Sequence, residues 1–467
     1  MTSARPPTIV LIGGGFTGAA IAWHFDRLLD GGAARLIIVE PRERLGAGVA
    51  YSADDPAFRI NVPASKMSID PDDGEDFARW LAATDALAGD PGAVMADGRS
   101  FPQRSVFGAY VGERIAPLLA DGRLEHVLAR ATAIGRSDAG YLVDLDDGQE
   151  LSADLVVLAV THPPPEPPAI LRSGLAGHPR FVTDTTLSGA LDGIRPDDRV
   201  LVVGTGLTGA DIIASLDRRG HRGPITAIAR RGLRSKGHPP FPVEPPGDFA
   251  SVPETTARGL LRAIRAEVAA ATAAGLSWHG VLDTVRTQGH AIWAALPPAE
   301  RRRLVRHLRP YWDVHRFRIA PQVEAALDRR IADGRLTLLA ASVQAASHDG
   351  ETIVVTLRRR RGGVETAAFD AVLVATGPAH GGILQSLPLA SSLAEQGLIQ
   401  ADPSGLGILT HHSGHAIDQA GKPVDTLLIG GPLARGTFGE LMGLPEVSRY
   451  ARFIALELAK RSSNTAN

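Results

Sequence analysis

Two glycine triplets mark where this sequence could bind phosphates. Gly13, Gly15 and Gly18 follow the apolar run Thr8 to Ile12 at the spacing G-x-G-x-x-G, and Gly204, Gly206 and Gly209 repeat it after Arg199 to Val203. In each triplet the first glycine allows a tight turn. The second lets the backbone approach a pyrophosphate, and the third lets the following helix pack close to the strand. The helix start, with Phe16 and Thr17 in the first copy, offers free N–H groups and a positive dipole end. Glu40 ends the next apolar run, Arg35 to Val39, and lies 22 residues beyond Gly18. A carboxylate there can accept the ribose hydroxyls of an adenine nucleotide. The residue 22 beyond Gly209 is Arg231, next to Arg230. An arginine there suits a 2′-phosphate and points to NADPH, although it can also stack on adenine and serve NADH.

The elements that must position these groups can be read around them. Thr8 to Ile12 has the apolar character of a strand buried on both faces, and Ala19 to Leu29 reads as its helix. Ala210 to Leu216 and Ile225 to Ala229 are the matching helix and strand of the second copy. Leu124 to Ile134, Tyr141 to Leu145 and Leu151 to Ala159 read as strands. Leu336 to Val343, Thr352 to Leu357 and Thr366 to Phe369 read as a small meander. Asp154 to Thr161 and Asp370 to Pro378 echo each other as apolar runs, and the proline cluster His162 to Pro168 reads as a crossing between domains. From Val252 to about Leu327 helical periodicity replaces strand patterns, as in Leu260, Leu261, Ile264 and Val268. Pro445 to Lys460 reads as a closing helix with a frayed end at Ser462 to Asn467. These readings predict an α/β fold of two interleaved Rossmann-like dinucleotide-binding domains with a helical insertion. The first domain is built from residues 1–165 and 370–467, the second from 166–250 and 328–369, and the insertion from 251–327.

Composition narrows the chemistry. At 467 residues the chain exceeds one hydrophobic core. A net charge of −2 gives no reason to expect a nucleic-acid or membrane-surface partner. The arginine runs at Arg301 to Arg303 and Arg358 to Arg361 read as a solvated helix face and a hairpin turn. There is no cysteine, which excludes disulfides, iron–sulfur clusters, thiolate zinc sites and a redox-active dithiol. No apolar run approaches 18 residues and no signal sequence precedes the first strand, so a soluble cytoplasmic protein is expected. Nothing in the sequence fixes an oligomeric state. The segment Arg301 to Pro321 is dense in ring and cationic groups. Its Tyr311, His315 and Arg316 are candidates to hold a small polar substrate under a helical lid, the plainer reading being a helix with aromatics in a core and arginines in water. Asp313 and His315 lack the spacing of a metal site, so no metal is expected.

The chain resembles a family of FAD/NAD(P)-binding flavoproteins that includes a bacterial FAD-dependent urate hydroxylase. The likeness rests on the glycines at Gly13 to Gly18, the loop Gly46 to Tyr51, Asn61-Val62-Pro63-Ala64, Phe101-Pro102 with Arg104, and Trp312-Asp313 with His315-Arg316. It implies FAD on the first unit and NADH or NADPH on the second. Gly46, Gly48, Arg104, Thr376, Gly377, Gly430 and Gly431 would then line the cofactors. Many flavoproteins carry an aspartate after Gly430, where this chain has Gly431 and Pro432, so contact there would come from backbone N–H groups. The resemblance also implies a flavin monooxygenase: oxygen adds at flavin C4a, and the hydroperoxide passes one atom to the substrate and one to water. Its substrate would be a small molecule, by this likeness urate, hydroxylated to 5-hydroxyisourate. Two other readings stand beside it: an N-hydroxylase of an amine, and a redox-sensing flavoprotein with no turnover.

Overall fold

The computed structural model of the chain describes residues 5–29, 34–138, 140–161, 163–241, 246–377 and 382–465. His162 of the expected domain crossing and Pro378 of the second echo lie outside them. Two parallel-centred sheets dominate the fold. The first has the order His415–Ile417, Pro423–Ile429, Leu155–Leu158, Thr8–Ile12, Arg35–Val39, Glu125–Val127. The second runs Val364–Phe369, Ile353–Arg359, Leu336–His348, Ile225–Ala229, Val200–Val203, Ala371–Val374, Phe181–Val182. Their central strands are buried on both faces, as their unbroken runs of aliphatic residues require.

The two nucleotide-type units are built on one hydrogen-bond scheme. The Gly13 N–H donates to Val39 O and the Gly204 N–H to Ile228 O, both at 2.9 Å. The Ala159 N–H donates to Ile12 O at 2.9 Å, and the Ala375 N–H to Val203 O at 2.8 Å. The carboxylate of Asp154 accepts from the Thr8 N–H, and that of Asp370 from the Arg199 N–H, each at 2.7 Å. The glycines behave alike too. Gly13 and Gly204 have φ of +103° and +124°, where side chains are rarely accommodated. A Cβ on Gly18 would run into Gly13 O, and one on Gly209 into Gly204 O.

Several expected boundaries move. The run Leu151 to Ala159 divides into the strands Glu150–Ala153 and Leu155–Leu158, which belong to different sheets. Asp154 sits at the break, where its carboxylate ties down the start of the first strand. The run Leu124 to Ile134 divides as well, into Glu125–Val127 and Ala131–Ser137. Strand Ala371–Val374 pairs with Val200–Val203 in the second sheet, so the return to the first sheet comes after it and not at residue 370. The meander is not separate either. Strand Leu336–His348 pairs in parallel with Ile225–Ala229 and antiparallel with Ile353–Arg359. The closing helix, Leu444–Thr465, continues past Lys460.

Helices fill the stretch expected to be helical: Ala257–Ala273, Trp278–Thr287, Gly289–Ala295, Pro298–His307 and Arg309–Arg316. Phe249, Leu260, Val281, Val285, Ile292 and Leu296 give this region its own buried cluster. The next helix, Pro321–Ala332, packs instead on Leu207–Arg218 of the second unit.

The glycine geometry predicts a split between two neighbouring substitutions. Gly209→Ala should lower unfolding stability by about 1–3 kcal/mol, because the backbone cannot yield to the new methyl group. A Cβ on Gly206 has nothing within 4 Å. Gly206→Ala should therefore leave stability within about 0.5 kcal/mol while weakening dinucleotide binding. Chemical denaturation and NADPH titration would check the pair.

Candidate functional site

A cavity of about 890 Å³ opens at the carboxyl ends of Thr8–Ile12, Arg35–Val39 and Leu155–Leu158. In an open α/β sheet that is where ligands bind. Gly13, Gly15, Phe16, Thr17, Glu40, Gly48 and Gly377 of the expected cofactor residues line it. Gly18 and Gly46 act from behind. Gly18 lets the helix Phe16–Leu28 close on the turn, and the Gly46 N–H donates to Gly14 O at 2.8 Å. A Cβ on Gly48 would lie 2.9 Å from the Gly15 Cα, so the two backbones meet at the cavity wall. Gly430 faces Ala159 and Leu158 O, and a Cβ on Gly431 would lie 2.6 Å from the Thr17 hydroxyl. Thr376 is exposed beside Gly377.

Both helix starts are open. Neither Phe16–Leu28 nor Leu207–Arg218 has a side-chain cap at its start or an acidic residue in its first turn. Their leading N–H groups and positive dipole ends are thus available to phosphates. Glu40 is buried. Its carboxylate accepts the Gly14 N–H at 2.9 Å and, on the other oxygen, the Arg42 N–H at 3.2 Å and guanidinium at 2.8 Å. A carboxylate offers about four acceptor positions, so one remains for a ribose hydroxyl. Phe16 and Tyr51 line the cavity, with Phe107 packed behind them at 5.8 Å from Phe16 and 4.7 Å from Tyr51, centroid to centroid. Burial pushes the Tyr51 hydroxyl up to about 12, so it stays protonated.

The cavity also draws on parts that carry no glycine signature. The loop Asp184 to Leu191, from the second unit, lines it, as do Arg130, Met442, Leu444 and Val447. Leu444 begins the 22-residue closing helix. The loop is pinned to the first unit by Ser188, whose hydroxyl donates to Asp54 at 2.7 Å. Only its contact across the units could have revealed it.

Arg104 lies elsewhere. Its Nε donates to Arg59 O at 2.9 Å and its Nη2 to Asp211 at 2.6 Å, joining the first unit to the helix Leu207–Arg218 of the second. Asp55 reinforces the joint through Ser215 and Arg219. Asp211 is fully enclosed, and burial raises its carboxyl to about 6 despite the neighbouring guanidinium. The signal for Asp211 was present in the sequence as an acid inside the apolar run Ala210 to Leu216.

In the second unit, Gly204, Gly206 and Gly209 form the matching turn. Arg230 is exposed beyond it, and the Arg231 guanidinium sits 5.4 Å from the centre of the Tyr311 ring. None of Tyr311, His315 and Arg316 lines the cavity. His315 shares a 2.7 Å hydrogen bond with Tyr311 O and meets the Trp278 ring edge-on at 5.0 Å. Arg316 is buried and bound to Glu440 at 2.9 Å and Glu446 at 3.4 Å, which takes it out of the role of a free substrate cation. Among the described residues no cluster of three or more His, Cys, Asp or Glu could hold a metal ion, and no helix is long and apolar enough to cross a membrane.

Residues 10–163 match the model of a family described as FAD-NAD(P)-binding. The match covers about a third of the chain. No curated protein matches the chain. The whole fold is similar to the reduced form of ornithine hydroxylase from Pseudomonas aeruginosa, with a TM-score of 0.67 at 16% identity over 97% of this chain and 99% of that one. L-Lysine 6-monooxygenase from Pseudomonas syringae gives a TM-score of 0.64 at 19% identity over 99% and 100%. Kutzneria sp. 744 ornithine N-hydroxylase, solved with reduced FAD, NADP⁺ and L-ornithine, gives 0.64 at 17% over 97% and 99%. The matched segment is thus part of a fold shared along the chain, insertion included.

The buried Asp211 sets a pH dependence. Its folded value near 6 lies above the unfolded value near 4, so the folded state binds the extra proton between them. Its contribution to stability is full below about pH 4 and is lost as pH rises through 6. Asp211→Asn, which keeps the neutral shape, should flatten the slope of unfolding free energy between pH 4 and 6, measured by urea unfolding at several pH values.

Proposed function

We propose that the chain is an FAD-dependent, NAD(P)H-consuming monooxygenase that hydroxylates the nitrogen of a small primary amine. One observation carries this reading. The likeness to amine and amino-acid hydroxylases runs over 97–99% of the chain. It therefore takes in both nucleotide units and the helical insertion, and is not limited to a shared nucleotide-binding half. Of the readings that the sequence left standing, this favours amine hydroxylation over urate.

The residues divide the work. The open helix start behind Gly13, Gly15 and Gly18 would hold the pyrophosphate of FAD, with Glu40 on its ribose. The corresponding turn at Gly204, Gly206 and Gly209 would hold NADPH or NADH, with Arg230 and Arg231 at the adenosine end. Bound FAD would supply the redox chemistry with oxygen. Overall, R–NH₂ + O₂ + NAD(P)H + H⁺ gives R–NHOH + NAD(P)⁺ + H₂O. The chain's own share is positioning and the exclusion of water, since loose water favours release of peroxide. The loop Asp184 to Leu191 and the rings of Phe16 and Tyr51 would provide that enclosure. The absence of cysteine removes the dithiol relay as an alternative route for electrons.

Aerobic oxidation of NADPH and NADH by the FAD-loaded protein is the test, with L-ornithine, L-lysine, cadaverine or urate added. Hydroxylamine product and hydrogen peroxide would be quantified together. We expect an amine to stimulate oxidation and to yield hydroxylamine in near-stoichiometric amount with little peroxide. Stimulation by urate alone would return the assignment to purine hydroxylation. Slow oxidation that ends as peroxide whatever is added would remove the enzymatic reading.

A further inference from the structure

Five arginines, Arg286, Arg309, Arg316, Arg318 and Arg435, lie in or near the contact of the insertion with the C-terminal segment, and four of the five are paired with acids. Arg286 holds Glu446 at 2.9 Å, Arg316 holds Glu440 at 2.9 Å, Arg318 holds Asp283 at 2.8 Å, and Arg309 holds Asp313 at 3.2 Å. Arg435 is the exception. Only 5% of it is exposed. Among the described residues its side chain makes one hydrogen bond, from Nε to Gly439 O at 3.3 Å. No carboxylate oxygen of a described residue lies within 4.0 Å of its guanidinium. The charges around it are Glu440 and Asp313, which attract it, and Arg309 and Arg316, which repel it. Glu440 is already committed to Arg316.

Asp313 shows the complementary defect. One of its carboxylate oxygens takes Arg309, while the other, Oδ1, is buried with no hydrogen-bond partner. A buried cation without a counterion and a buried carboxylate oxygen without a donor each carry a desolvation cost. They attract each other without forming a direct ion pair, because they stay more than 4.0 Å apart. A group placed between them would need an anionic end for Arg435 and a donor end for Asp313. Arg435 also lies near the cavity. It is three residues beyond Pro432, which lines it, and three residues span at most about 11 Å.

We infer that Arg435 and Asp313 form a subsite for the head group of an α-amino acid, with the carboxylate on the guanidinium and the α-ammonium on Asp313 Oδ1. The subsite rests on the proposed amine hydroxylation and narrows its substrate class from amines in general to amino acids with a second, side-chain amine. The planar fork of an arginine suits a carboxylate in two-point contact. Arg316, the substrate candidate from sequence, instead braces Glu440 and so keeps that acid away from Arg435.

The test is equilibrium binding to the FAD-loaded protein by calorimetry, with three matched ligands: L-ornithine, putrescine, which lacks the carboxylate, and 5-aminovalerate, which lacks the α-amine. In the wild type L-ornithine should bind roughly 10- to 100-fold tighter than putrescine. Arg435→Gln should remove that advantage and leave putrescine unchanged, with Arg435→Lys recovering part of it. Asp313→Asn should weaken L-ornithine but not 5-aminovalerate. Equal binding of L-ornithine and putrescine by the wild type would overturn the subsite without recourse to any variant. So would a parallel loss of both ligands in Arg435→Gln, or no binding of any of the three. Arg435-dependent binding of L-ornithine without hydroxylamine formation would uphold the subsite and count against the proposed reaction.

Discussion

The constraint on which the structure depends is the closeness of a glycine turn to the end of a neighbouring strand. At Gly13 a Cβ would sit 2.7 Å from Ala159 O. That contact brings strand Leu155–Leu158 beside Thr8–Ile12, and the Ala159 N–H to Ile12 O bond fixes its register. With the register fixed, the chain leaves both strands at the same edge, and the cavity lies where they end. Gly204 and Ala375 impose the same arrangement on the second unit. The helix starts are left uncapped in both places, which would be a defect in a purely structural turn and is an asset where phosphates bind.

What could be read from sequence follows from that local character. The glycine spacings and Glu40 act within one strand–turn–helix–strand unit, so their types and intervals carry the information, whereas Asp154 and Asp370 show only as the starts of two similar apolar runs, their bonds to Thr8 and Arg199 being distant in sequence. The domain crossing was harder to place. Ala371–Val374 and Leu155–Leu158 look alike as strings, and only their pairing partners assign them to different sheets. The insertion was legible as helices, but which of its polar groups pair with distant acids was not. Arg316 and Arg435 are the same residue type, yet acids distant in sequence, Glu440 and Glu446, neutralise one and leave the other unpaired. No local pattern encodes which arginine of a cluster an acid will reach.

The joint between the two units is polar where the sheets themselves are apolar. Arg104 and Asp211 meet across it, and Asp55 binds Ser215 and Arg219 beside them. His238 adds a 3.1 Å contact with Asn61 O. Buried polar atoms without partners collect here as well, at Asn61 Oδ1 and Asp211 Oδ1. A buried ion pair contributes little net stability, since desolvation offsets most of the attraction, but it fixes orientation. The joint therefore defines how the second unit faces the first more than it holds the two together. That suits a cavity whose wall includes the loop Asp184 to Leu191 from the far unit, since the wall is only as well placed as the joint.

The same reasoning bears on the insertion. Its own apolar cluster is small, so its position depends on polar anchors: Arg286 and Arg316 on Glu446, and the Trp293 indole N–H on Gly436 O at 2.8 Å. Both anchors grip the segment that runs from Gly430 past the cavity to the closing helix. A shift of the insertion would therefore move Arg435 and Met442 along with it, one beside Asp313 and the other on the cavity wall. Under the proposed reaction, binding a head group between Asp313 and Arg435 would draw the insertion and this segment together. The region that recognises the substrate would thus also close the cavity, and enclosure would be completed only when a substrate is present to receive the oxygen atom.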